Sequence, residues 1–104
     1  TPTPLPSARL DLGEDAIFLG DYEQARSQYQ DALAQATDDE TRSAASTGIG
    51  RSLYLERNYP AAINQLTATV QEYPDSPHLA ETWFFLARSY DAQSMYGEAA
   101  DAYA

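Results

Sequence analysis

Cysteine is absent from this 104-residue chain and so is lysine, all six basic residues being arginine. Without cysteine there is no disulfide, no thiol nucleophile and no zinc–thiolate site, and the chemistry fits either side of a membrane. Positive charge is scarce. The six Arg stand against 16 Asp and Glu, for a formal net charge of −10. A field of that sign repels a nucleic-acid duplex or an anionic bilayer unless the basic residues cluster, and these are scattered, so no nucleic acid is expected as a partner. The longest apolar run is only a few residues, far short of the ~20 that a spanning helix needs. The one histidine, His78, follows Pro77 and is expected to be exposed or to cap a helix. There is no histidine pair for a metal and no Gly-rich phosphate loop.

What the chain does have is enough apolar residue, 43%, for one small domain that buries roughly 60–70% of its unfolded surface. Its first six residues, Thr1-Pro2-Thr3-Pro4-Leu5-Pro6, stand apart. Alternating proline blocks helix and sheet ladders and favours extended polyproline II, so residues 1–6 read as a spacer ahead of a domain over 7–104.

That domain repeats itself. Tyr22, Tyr59 and Tyr96 lie 37 residues apart, as do Ala25, Ala62 and Ala99. Tyr29, Leu66 and Tyr103 keep the same period, and so do Leu12, Ile49 and Leu86, each followed by a small residue: Gly13, Gly50 or Ala87. Five columns in register in so short a chain mark a repeat architecture.

Each unit reads as two helices. Leu12, Ala16 and Leu19 follow helical spacing up to a break at Gly20-Asp21. Asp21 with Gln24, and Thr37 with Glu40, form capping boxes that open the second and third helices. Asn58 caps the fourth, where Pro60 is tolerated in the first turn, and that helix stops before Pro74. Ser76-Pro77 reads as an N-cap and first-position proline for the fifth helix, which carries Trp83, Leu86, Ala87 and Tyr90. The sixth begins near Gly97, and no segment reads as a strand.

Trp83-x2-Leu86-Ala87-x2-Tyr90, followed by Tyr96, Ala99 and Tyr103, resembles the tetratricopeptide repeat signature, with Ala in place of its Gly. Gly20-Asp21-Tyr22-Glu23-Gln24-Ala25 resembles that family's turn between paired helices. Pro74 sits at the family's closing proline in the second repeat, where the first has Thr37. The resemblance covers residues 7–104, and the 37-residue period exceeds the usual ~34. It implies an all-α solenoid: a right-handed superhelix of antiparallel helix pairs, with about two and a half repeats of 37 residues. Tyr73-Pro74-Asp75-Ser76-Pro77 is similar to repeat junctions in bacterial envelope proteins, among them the outer-membrane assembly lipoprotein, the Tol–Pal coordinator and the helical arms of lytic transglycosylases. The Thr-Pro tract resembles the tethers of envelope lipoproteins. These resemblances favour an extracytoplasmic location, periplasm or cell surface, with membrane contact only through a tether upstream.

The repeat columns have packing reasons. Gly13, Gly50 and Ala87 lack bulk where paired helices approach, and Ala25, Ala62 and Ala99 do the same from the facing helix. Gly50→Leu should overpack its pair by ~1–3 kcal/mol. Tyr22, Tyr59 and Tyr96 are expected to wedge between pairs with wet hydroxyls, and Trp83 to pack in the core. In the family the first helix of each pair lines a concave groove. Carried over, this implies a partner-binding surface of Asp11, Glu14 and Phe18 in the first repeat and Arg51, Tyr54 and Leu55 in the second. Phe84, Phe85, Arg88 and Asp91 complete it in the third. Arg51 and Arg88 share a column, so two guanidinium forks could hold a peptide carboxylate; the alternative is that each pairs with a neighbouring acid such as Glu14 or Asp91.

No catalytic constellation accompanies these residues. Asp38-Asp39-Glu40 is the acid run a helix N-terminus attracts, without the rest of a calcium loop. Asp11, Glu14 and Asp15 read as a solvated face. The expectation is a non-catalytic scaffold that binds a protein or peptide, with no cofactor and no metal. The alternative is the non-catalytic arm of a cell-wall enzyme. The third repeat, cut short and uncapped by polar residues, implies a piece of a longer array or self-association through that end.

Overall fold

The computed structural model describes residues 4–104, so residues 1–3 of the expected spacer lie outside the described residues. Six helices follow one another in antiparallel pairs: α1 (Pro6–Phe18) with α2 (Tyr22–Gln35), α3 (Asp39–Leu55) with α4 (Tyr59–Glu72), and α5 (Leu79–Ala92) with α6 (Tyr96–Tyr103). No strand occurs among the described residues. The first helix begins at Pro6, within the stretch that reads as spacer, because proline's missing N–H and fixed φ suit a first helical position.

The turn inside each pair is one motif used three times. Asp21, Asn58 and Met95 donate backbone N–H bonds to the carbonyls of Ala16, Leu53 and Tyr90, five residues back. The residue before each donor, Gly20, Arg57 or Ser94, takes a left-handed φ of 78°, 68° or 59°. This is the six-to-one closure of a Schellman motif, and only the first repeat gives the left-handed position to glycine.

Three further helix starts differ from the sequence reading. Asp38, not Thr37, caps α3, accepting the Thr41 N–H at 2.8 Å, because a carboxylate accepts more strongly than a hydroxyl at a helix N-terminus. The fifth helix starts at Leu79, not at Pro77. The Ser76 hydroxyl is spent earlier, accepting the His78 N–H at 2.9 Å and donating to Ser43 Oγ at 2.8 Å. His78 stands at the N-cap position with no side-chain capping bond. The sixth starts at Tyr96, one residue before Gly97.

Every helix packs on the next, and in addition α1 packs on α3 and α3 on α5, while the second helices of successive pairs do not touch. Contact on one side and separation on the other curve the array, so the first helices form its inner face. Two apolar clusters fill it. Ala16, Ala25, Tyr29, Ala32, Ala45 and Ile49 form one, and Ala62, Leu66 and Leu86 the other, with Leu53 touching both. Between α3 and its neighbours the core is polar: Ser46 meets Thr69 at 2.6 Å and Thr47 meets Thr82 at 2.7 Å, all buried. Each hydroxyl satisfies another, so these buried groups carry little desolvation penalty.

The small-residue columns are close approaches. A Cβ on Gly13 would lie 2.6 Å from the Tyr29 ring, and one on Gly48 2.7 Å from it. The Tyr29 ring therefore passes between α1 and α3. A Cβ on Gly50 would overlap Leu66. Trp83 departs from the expectation of core packing. It lies on the same column as Arg9 and Ser46, which face the second helix of their own pairs, but the eight residues of α6 leave it 38% exposed. Of the wedging tyrosines, Tyr59 stacks against Tyr54 with ring centroids 5.9 Å apart, whereas Tyr96 is exposed.

Candidate functional site

The inner face carries two arginines with opposite circumstances. Arg51, from the middle of α3, donates to Glu14 of α1, to Glu81 of α5 at 3.3 Å and to the Tyr29 hydroxyl at 3.0 Å. Tyr29 donates in turn to Glu14 at 2.8 Å. The tyrosine belongs to α2 and reaches this face only through the gap that Gly13 and Gly48 leave open. Burial, and then the bond to Glu14, raise its phenol above the ordinary value. Burial would lower the Arg51 pKa, but the Glu14 bond and the surrounding negative groups outweigh it, and the guanidinium is held firmly charged. So the neighbouring-acid alternative holds for Arg51.

Arg88, one period on along α5, has no carboxylate partner among the described residues. Its Nε donates to the Tyr54 hydroxyl at 3.3 Å, which raises its pKa, and its guanidinium carbon lies 5.7 Å from the Phe84 ring centroid. Tyr54 packs on Phe85 at 5.6 Å and Phe85 on Phe84 at 5.3 Å, edge to face. Asp91 accepts from the Tyr103 hydroxyl at 3.2 Å instead of from Arg88. The result is an exposed cation in an aromatic setting, which suits a carboxylate joined to an apolar group.

The other expected groove residues are not gathered there. Phe18 is 90% exposed at the last turn of α1 and joins neither cluster. Asp11 is exposed and takes part in no ion pair among the described residues. Leu55 ends α3 half-buried. Sequence reasoning missed Glu81 and Tyr103 as members of the face. The period signals the Glu14 pair, since Glu14, Arg51 and Arg88 form one column whose sign changes between the first two repeats, but Glu81 shares its column with Ser7 and Ala44 and carries no such signal.

The tetratricopeptide repeat profile matches residues 10–77 and again 47–104, in overlapping registers that together span nearly the whole chain. The chain belongs to the tetratricopeptide repeat family. Its helices superpose on the crystal structure of the tetratricopeptide repeat domain of Arabidopsis FLU with a TM-score of 0.84. The alignment covers 94% of this chain and 87% of that one at 21% sequence identity, a likeness of fold. No curated protein matches the chain. Tetratricopeptide repeats are typically non-catalytic modules that mediate protein–protein interactions.

Proposed function

We propose that this tetratricopeptide array is a scaffold module that holds a partner protein through an acidic group placed on Arg88, with the rings of Tyr54, Phe84 and Phe85 around it. One observation carries the reading. Of the two arginines described above, Arg51 is neutralised from within, and Arg88 keeps donors for a partner. The paired clamp expected from Arg51 and Arg88 reduces to a single fork. A test is fluorescence anisotropy with an acidic, aromatic-containing labelled peptide on wild type, Arg88→Glu and Arg51→Ala. Loss of binding in Arg88→Glu alone supports the reading, and equal binding in all three refutes it.

We further propose that the module works in a bacterial envelope protein outside the cytoplasm. The Tyr73-Pro74-Asp75-Ser76-Pro77 junction and the Thr-Pro tract support this. Fractionation of the native protein by compartment tests it; recovery with cytoplasmic markers would end it.

A further inference from the structure

The repeat supplies its own rule for how one inner-face helix seats the next. Thr47, Arg51 and Tyr54 of α3 hold α5: Thr47 bonds Thr82 at 2.7 Å, Arg51 bonds Glu81 at 3.3 Å, and Tyr54 packs on Phe85 and accepts from Arg88. One period later on α5 these positions are Phe84, Arg88 and Asp91, and all three are exposed, Phe84 by 47%. Beside them Ala80, Trp83 and Tyr103 border an open hollow of about 480 Å³. The surface that seats an inner helix twice inside the chain is therefore repeated along the outer side of α5, where none of the described residues covers it.

Resting on the reading that Arg88 receives a partner's acid, we infer that the partner segment is an amphipathic helix lying along α5 beside α6, with a carboxylate at the position Glu81 holds on α5. Charge selects that register. Glu81 meets Arg51, and the same step along the array brings an equivalent acid to Arg88. Size selects the neighbour: Phe84 stands where α3 has Thr47, so the residue after the acid must be smaller than Thr82. A second copy's own α1 fits poorly. At the positions of Gly48 and Ser52, both buried, it carries exposed Asp11 and Asp15.

The probe is a stapled peptide of residues 78–93 with Thr82→Ala, labelled for anisotropy and titrated with the 104-residue chain. The expected result is a charge swap. The Glu81 peptide binds wild type at least ~10-fold more tightly than a Glu81→Arg peptide, and the order inverts on the Arg88→Glu chain. An unstapled version with a central proline should lose binding. If that broken peptide binds as well as the stapled one, the helical inference is wrong while the acid-binding reading stands. If neither binds, both fall. Tight binding that ignores the swap overturns the register and the inference with it.

Discussion

Tyr29 and Leu66 occupy the same place in successive repeats, both fully buried, and the residue facing each across the next helix offsets its size. Tyr29 lies against Gly48; one period on, the Gly48 position is Phe85, which packs on the cluster around the smaller Leu66. The bulkier Tyr29 is met by the smallest residue and the smaller Leu66 admits a large one, a trade in the direction that close packing favours.

Gly48→Ala should therefore cost ~1–3 kcal/mol, because the new methyl collides with the Tyr29 ring. In a Tyr29→Leu background the added cost should fall to about a third of that or less. Urea denaturation of the two single variants and the double one gives the coupling. Equal cost in both backgrounds would show that the glycine serves something other than the ring.

The left-handed turn positions make a second prediction. Arg57 and Ser94 are exposed and adopt the φ that Gly20 takes freely. Replacing either with glycine should stabilise the chain by ~0.5–1 kcal/mol, part of the strain being returned as unfolded-state entropy. Gly20→Ala should destabilise it by ~1 kcal/mol. Thermal melts decide this, and a loss of stability in Arg57→Gly would contradict it.

Alkaline stability isolates the Tyr29 hydroxyl. Its phenol is raised, first by burial and then by the Glu14 bond. A raised group contributes stability that is complete below the unfolded value, near 10, and is lost as pH rises toward the folded one. Tyr29→Phe should be less stable than wild type by ~0.5–1.5 kcal/mol at pH 7. The gap should narrow above about pH 10, where only wild type must hold a proton on that group. A gap that stays constant from pH 8 to pH 11 would mean the hydroxyl titrates as an ordinary phenol.

Asp38 gives the acid counterpart. Its carboxyl is lowered by hydrogen bonds from Thr41, so its contribution is present above the unfolded value and is lost as pH falls through the folded one. In Asp38→Asn the first turn of α3 should stay capped and lose that pH dependence, and in Asp38→Ala it should fray. Hydrogen exchange at the Thr41 amide between pH 3 and pH 6 reports both, after correction for the intrinsic rate. Equal protection in all three proteins would discount the cap.

The period alone made the number, type and pairing of the helices legible, because every column that defines it is a packing constraint. Helix ends were less so. Thr37 and Asp38 are both capping residues, and only the chain's path shows which carries the Thr41 amide. Ser76 looks like a cap, but its hydroxyl ties the loop to Ser43 instead. On the inner face, Glu14, Arg51, Tyr54, Phe85 and Arg88 come together, since residues one period apart on first helices must be neighbours. Phe18 lies apart from these because periodicity gives a face and not a depth, and at the last turn of α1 nothing packs over it. Tyr29 was hidden for a different reason. It belongs to a second helix, and its arrival at the inner face depends on two glycines that no spacing rule links to it.

Arg51 joins the first helices of all three repeats, taking Glu14 from one side and Glu81 from the other. It is a cross-tie on the concave side, added to the packing of α1 on α3 and of α3 on α5 that curves the array. Removing that one side chain would cut two ties between repeats at once and leave both carboxylates on the concave side without their cation.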